Sequence, residues 1–501
     1  MEKFIAHQKL PTVWREREIL RNKGQFWTPD WVANAMVEYV SQESDLIFDP
    51  ATGKGAFCES LYKLEKDEIS FYGTDIDPNI LSESIYKKPK CFVERKDFIT
   101  DPPDRKFKSI VANPPYIRHH RLDEKTKKNL KSLCAKITGF TIDGRAGYHV
   151  YFLLQILDHL EKNGRLAVIL PADVCEGTFA LKLWKWISEN YCIESVVSFT
   201  SEATPFPNVD TNALIFFIKN SEPTPTLLSV KSNKSYSSDL FDLVESKFKR
   251  RKFLTLEITS RSINEAIETG LSRPVQENPD VKYRLQNFAT VMRGIATGAN
   301  EFFFLTTEQK NELKIPGRFF KIAVGRTRDV NGDRITKKDL IKLEENNRPI
   351  YLLSITADEK LPDSLREYLK LGEESGLSTR PLISQRKPWY KMEQREIPPL
   401  LFAYLGRRNS RFIKNDAAVL PLTGFLCVYP KIRDEEFIQK LWQVLNHPKT
   451  LENFSLVGKS YGSGAIKIEP RNLDKLPIPE ELIKRYGLEK FAEKEIQIKL
   501  F

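Results

Sequence analysis

Long apolar runs are missing from this chain. None approaches the roughly 18 consecutive apolar residues that a membrane-spanning helix needs. The longest, Leu166–Leu170 and Ala213–Ile218, have the length of buried strands. The opening stretch Met1–Lys9 has no apolar core and does not read as a signal peptide. Cysteine is sparse and scattered: Cys58, Cys91, Cys134, Cys175, Cys192 and Cys427 contain no Cys-x-x-Cys pair, and no histidine pair stands at ligand spacing from two of them. This pattern argues against a zinc site or a disulfide framework, and for reduced thiols in a cytoplasm. No internal repeat and no low-complexity segment appears.

What is present is an ordinary globular composition, 41% hydrophobic and 29% charged, over 501 residues. That length divides into two or three domains. Lys and Arg total 78 against 67 Asp and Glu, a net charge of +11. A basic balance favours a polyanionic partner such as nucleic acid, although an indifferent basic surface would give the same number.

Between residues 30 and 220, short apolar runs alternate with helical patterns. Leu46–Asp49, Ser70–Asp75, Cys91–Glu94, Ser109–Ala112, Arg165–Leu170, Ser195–Phe199 and Asn212–Lys219 are predicted strands. Tyr148–Glu161 is a predicted helix with Val150, Leu153, Leu154 and Leu157 on its apolar stripe. Such alternation implies a parallel sheet covered by helices, with ligands at the carboxyl ends of the strands. The stretch from about 220 to 285 is more polar, with the charge run Lys247–Lys252 and a helical pattern through Ile263 and Ile267; it reads as a connector. From about 286 to 480, short strands and turns point to a second domain.

Two motifs at strand ends carry chemistry. In Phe48-Asp-Pro-Ala-Thr-Gly-Lys-Gly-Ala-Phe57, Gly53 and Gly55 allow a tight turn and close approach of the backbone to a ligand. Asp75 ends the next strand about 20 residues on, the spacing at which an acid can hold ribose hydroxyls. Together they suggest a nucleoside-containing cofactor. NAD stays open at this point, though the loop is not Gly-x-Gly-x-x-Gly, and Asp75 alone could be a turn cap before Pro78. The second motif is Asn113-Pro-Pro-Tyr116. Pro114 and Pro115 remove two backbone donors and stiffen the turn while leaving their carbonyls as acceptors. The Asn113 side-chain oxygen and a proline carbonyl make a paired acceptor for a planar amino group. An aromatic amine is a poor nucleophile, because its lone pair is delocalised into the ring. Two acceptors on its hydrogens draw it toward tetrahedral geometry without a strong base. Tyr116 can stack on the base.

On these residues the chain resembles the gamma class of amino-group (N6) adenine DNA methyltransferases, with the layout of the TaqI type: a cofactor motif, a glycine loop, Asn-Pro-Pro-Tyr, then a C-terminal target-recognition domain. Gly24-Gln-Phe-Trp-Thr-Pro29 resembles the first motif, which implies that Thr28 contacts the methionine part of S-adenosyl-L-methionine. The resemblance further implies cofactor contacts from Asp49 and Ala51, the ribose from Asp75, and the apolar floor under the cofactor adenine from Ile76. Asp97 and Phe98 match the pair that contacts that adenine, and Phe152, otherwise a plain core aromatic, its other face. Phe206-Pro207 resembles the aromatic that meets a flipped target base opposite Tyr116. Asp49 stands where many relatives have glutamate, and Lys54 lies inside the glycine loop. The fold implied is α/β, a Rossmann-like methyltransferase sheet at 1–240, a connector at 241–285, and a mixed α+β or mainly β recognition domain at 286–501. Arg293–Phe302 resembles the opening piece of such domains, and Lys459–Pro470 with Leu473–Pro479 the closing piece.

The implied activity is site-specific methylation of double-stranded DNA by a monomeric cytoplasmic enzyme, with base flipping, as the modification half of a restriction system that has a separate cognate endonuclease. Only residues 1–23 precede Gly24, which is read as too short for a preceding nuclease domain. Arg386, Lys387, Arg407, Arg408 and Asn409 are candidate DNA contacts, Arg for guanine or phosphate and Asn for adenine; exposed basic turns would look the same. Trp389 with Tyr390, and His119 with His120, are weaker candidates, and no metal is expected. The same Asn-Pro-Pro-Tyr turn serves enzymes that methylate a glutamine amide or RNA guanine. A non-catalytic DNA-binding module is a further alternative, opposed by the intact turn and Asp75.

Overall fold

Each of the first four strands ends near a candidate site residue: β1 (Leu46–Asp49), β2 (Ser70–Asp75), β3 (Cys91–Arg95) and β4 (Phe107–Ala112). β5 (Leu160–Pro171), β6 (Cys192–Phe199), β7 (Ala213–Lys219), β8 (Thr226–Ser232) and β9 (Leu256–Ser262) complete one nine-stranded sheet, in the order β3-β2-β1-β4-β5-β7-β6-β8-β9. β1 to β5 run parallel and β7 is antiparallel between β5 and β6. The structure, a computed structural model, describes residues 26–492 except 43, 81–82, 143–144, 176–178, 201, 208–211, 274–280, 357–358, 404–409 and 461–465.

The alternation of side chains across each strand fills two cores. Leu166, Val168 and Leu170 of β5, with Leu214, Phe216 and Ile218 of β7, face one core; Ala167 and Ile169, with Ala213, Ile215 and Phe217, face the other. Helix Tyr148–Asp158, apolar almost all round, lies in the first. Helices Asp30–Val40 and Ala56–Lys63 lie in the second. Both faces being covered explains why these strands read as continuous apolar runs. The strand order reverses between β1 and β4, so the crevice for a ligand opens at their carboxyl ends.

The chain divides into two compact units near Glu277. Residues 226–262, read from sequence as part of a connecting region, instead extend the sheet: β8 pairs parallel with β6, and β9 antiparallel with β8. The charge run at 247–252 hid this, because it is the irregular stretch between helix Asp239–Glu245 and β9 and not a helix face; Lys247 and Phe248 take positive φ there. The second unit is mixed α/β. One five-stranded sheet joins Ala289–Arg293, Phe425–Pro430, Leu400–Ala403, Arg411–Asn415 and Arg334–Ile335. A four-stranded sheet and helices such as Asp363–Glu374 and Glu435–Leu445 complete it. All six cysteines are free and buried. Among the described residues no helix is long and apolar enough to cross a membrane.

Candidate active site

The loop after β1 is shaped by its glycines and by the strand beside it. Gly53 and Gly55 take φ of +52° and +83°, a region that L side chains rarely adopt. A Cβ at Gly55 would lie 2.5 Å from Ile85 and 3.0 Å from the Tyr86 hydroxyl. The Gly53 N–H donates to Asp75 Oδ2 at 2.9 Å, and the Tyr86 hydroxyl donates to the Gly53 carbonyl at 2.8 Å. Asp75 Oδ1 accepts from the Asp77 N–H at 2.9 Å. Burial raises the Asp75 pKa above the usual carboxylate range, partly offset by these bonds.

Above this loop lies a cavity of about 750 Å³. Thr28, Ala51, Gly53, Asp75, Ile76, Asp97, Phe98, Phe152, Asn113 and Pro115 all border it, so ten of the positions singled out from sequence converge on one space. Its wall is chemically mixed. Ile76, 65% exposed although apolar, and the rings of Phe98 and Phe152 (centroids 5.1 Å apart) are apolar surface suited to a purine. Asp75 contributes a carboxylate suited to vicinal hydroxyls. Thr28 and Asn113 stand together on the same wall. The buried Thr52 hydroxyl, also on the wall, has no hydrogen-bond partner. A cavity of this size, lined by apolar side chains, a carboxylate and a buried unpaired hydroxyl, fits a purine nucleoside cofactor such as S-adenosylmethionine.

Several expected residues do other work. Asp49 does not border the cavity. It is fully buried, its Oδ1 accepts the Ala51 N–H at 3.1 Å, and desolvation pushes its pKa far up; it holds the loop. Gly55 begins helix Ala56–Lys63 behind the wall. Asp97 already accepts from Ile99 N–H at 3.0 Å, the Thr100 hydroxyl at 2.9 Å and the Tyr148 hydroxyl. Burial and that carboxylate hold the Tyr148 hydroxyl protonated, with its pKa raised. Tyr148, Phe26 and Trp27 border the cavity and were not singled out. The Lys54 ammonium stands 4.2 Å over the Trp27 ring.

The Asn113 amide is oriented by its neighbours. Its Nδ2 donates to the Phe26 carbonyl at 2.7 Å and to Thr28 Oγ1 at 3.1 Å. A carbonyl can only accept, so the nitrogen must face it and Oδ1 points elsewhere. Pro115 O accepts from Ile117 N–H at 3.1 Å. The Tyr116 hydroxyl donates to Ile169 O at 3.1 Å, which pins the turn to β5. Tyr116 and Phe206 lie together, 6.3 Å apart and inclined at 83°, and the Phe26 ring touches both. In this arrangement they do not present two parallel faces.

In the second unit, Arg386 is half-buried and turned inward. Its Nη2 donates to the carbonyls of Ala296 (2.6 Å) and Thr297 (2.8 Å), its guanidinium lies 5.8 Å over Phe303, and burial lowers its pKa. It holds the loop after Ala289–Arg293. Trp389 Nε1 donates to Glu373 at 2.8 Å, and its ring joins the Phe302 and Phe303 cluster. Lys387 is exposed. Arg407, Arg408 and Asn409 lie outside the described residues.

Two family models tile the chain: N-6 DNA Methylase over residues 17–262, and the C-terminal domain of Type II methyltransferase M.Eco57I over 261–498. Type II methyltransferase M.AccI of Acinetobacter calcoaceticus is 26% identical over 470 residues, covering 90% of this chain and 84% of that protein. Type II methyltransferase M.HindII of Haemophilus influenzae is 24% identical over 84% of this chain and 83% of its own length. Among solved structures, the type IIL restriction-modification enzyme MmeI in complex with DNA matches 96% of this chain and 73% of its own, with a TM-score of 0.50 and 13% identity. The DrdV–DNA complex matches 95% of this chain and 57% of its own, with a TM-score of 0.51 and 13% identity. The structural likeness is one of fold.

Proposed function

The chain belongs to the N-6 DNA methylase family, and on that premise we propose how its residues divide the work. It is an adenine-specific DNA methyltransferase of the restriction–modification kind, with double-stranded DNA as substrate and S-adenosylmethionine as methyl donor. When bound, S-adenosylmethionine supplies an electrophilic methyl group. The chain's residues supply position and charge. Ile76, Phe98 and Phe152 hold the cofactor's purine, Asp75 its ribose hydroxyls, and Thr28 its methionine end. Asn113 Oδ1 and the Pro114 carbonyl accept the two hydrogens of the target amino group. They would localise its lone pair toward the place where the transferable methyl group lies when S-adenosylmethionine is bound. The adenine must leave the duplex to reach Asn113, at a cost of roughly a few kcal/mol, and Tyr116 and Phe206 receive it.

One observation carries this reading: both amide hydrogens of Asn113 are committed to Phe26 O and Thr28 Oγ1, which leaves Oδ1 as an acceptor in a residue that lines a nucleoside-sized cavity. Asn113→Ala is expected to bind S-adenosylhomocysteine as the parent does, by calorimetry, and to transfer no tritiated methyl group. Retained turnover would overturn the assignment. The relatives' names describe methyltransferases, which supports a separate endonuclease as partner. We further take the enzyme to act as a cytoplasmic monomer, with sequence choice made by residues 286 onward.

A further inference from the structure

An extruded base needs an open place beside Tyr116 and Phe206, and in this structure the ring of Phe26 packs against both. The Phe26 ring lies 5.2 Å from Tyr116 and 5.7 Å from Phe206. Tyr116 and Phe206 are 9% and 4% exposed, whereas Phe26 is only half-buried. Phe26 is therefore the most exposed ring of the three and packs against the other two. Its carbonyl is the acceptor that holds Asn113 Nδ2 at 2.7 Å. Carbonyl and ring are separable: a rotation about the side-chain bonds moves the ring out and leaves the backbone, and so the amide of Asn113, where it is.

We propose that the Phe26 side chain is a place-holder for the target base, packed against both Tyr116 and Phe206 until an extruded adenine displaces it. The inference rests on the reading of Tyr116 and Phe206 as the neighbours of that base. An empty slot lined by two apolar rings would forfeit contacts on both of them. Filling it with a third ring removes that cost in the DNA-free enzyme. Displacement then exchanges ring contacts for base stacking, and a base that gains no bond to Asn113 has nothing further with which to expel the ring. Phe26 thereby contributes to the selection of adenine as well as to the position of Asn113.

The test uses the full chain, S-adenosylhomocysteine, and a duplex carrying 2-aminopurine at the adenine that the enzyme methylates in host DNA. Fluorescence is expected to brighten on binding to the parent enzyme and to brighten more with Phe26→Ala. That variant should also bind the duplex about tenfold tighter, about 1.4 kcal/mol, with Phe26→Leu in between. Unchanged or weaker binding by both variants, or an equal gain on a duplex without the site, overturns the place-holder. If the parent brightens, Phe206→Ala dims it and the Phe26 variants add nothing, this inference alone fails. If the parent brightens on no duplex, the base-slot reading fails and this inference with it. Phe26→Leu, which keeps an apolar side chain in the cluster, guards against a variant that does not fold, and circular dichroism with thermal unfolding reports on the fold of each.

Discussion

Replacing Asp75 with alanine should weaken the cofactor more than any other single change on the cavity wall. Its two oxygens each accept one backbone N–H, from Gly53 and Asp77, at 2.9 Å. The carboxylate also borders the cavity, so as many as two charge-assisted bonds to ribose hydroxyls are at stake. Such bonds contribute about 1.5–3 kcal/mol each. Neighbouring bonds are not additive and water refills the site, so a combined loss of about 2–4 kcal/mol is expected, roughly 30- to 1,000-fold in Kd. Titration calorimetry with S-adenosylhomocysteine measures it. The pH dependence gives an independent reading. The acceptor is the carboxylate, and burial raises its folded pKa. Affinity should therefore be full at neutral pH and fall as pH drops through that raised value, earlier than for an ordinary aspartate. Asp75→Asn should lack this fall. An Asp75→Ala enzyme that binds as tightly as the parent would reduce Asp75 to a brace for Gly53, and the ribose assignment would be wrong.

The same geometry sets the outcome of other perturbations. Gly55→Ala forces a Cβ to within 2.5 Å of Ile85 at a φ of +83°; thermal unfolding should register a loss of roughly 2–4 kcal/mol from strain and overpacking, and no loss would mean that the loop shifts freely. Arg386→Ala removes two bonds to loop carbonyls; it should destabilise the chain by roughly 2–3 kcal/mol and leave the salt dependence of DNA binding unchanged. A salt slope smaller by about one would instead mark it as a phosphate contact. Exchanging residues 286–480 for those of a relative of different specificity should transfer the recognition site, because all the catalytic motifs precede residue 220; an active chimaera that keeps the original site would place the choice in the first unit.

The strands β1 to β7 were legible because a sheet covered on both faces writes itself as apolar runs. β8 and β9 were not. Their burial alternates irregularly, and the stretch between helix Asp239–Glu245 and β9 is among the most basic of the chain. The second unit was legible only as a change of texture, since strands of two to six residues carry too little periodicity. In the site, Gly53, Asp75 and Asn113 border the cavity, as residues at the carboxyl ends of parallel strands are expected to. Asp49 was misplaced because the direction of the last side chain of a strand, outward to a ligand or back beneath the loop, depends on the loop's path. Phe26 escaped notice because its partners, Tyr116 and Phe206, lie far along the chain. Arg386 shows the limit of reading a basic residue as a DNA contact: a guanidinium satisfies backbone carbonyls as readily as phosphates, and only the fold decides.

The most direct test of the central claim is base-resolved mapping of methylation in plasmid DNA from cells that express the chain, beside cells that express Asn113→Ala. The expected result is N6-methyladenine at one position of a single recurring sequence, absent with Asn113→Ala although that protein is folded and binds S-adenosylhomocysteine. Methyl groups on cytosine, or undiminished N6-methyladenine with the Asn113→Ala chain, would contradict it.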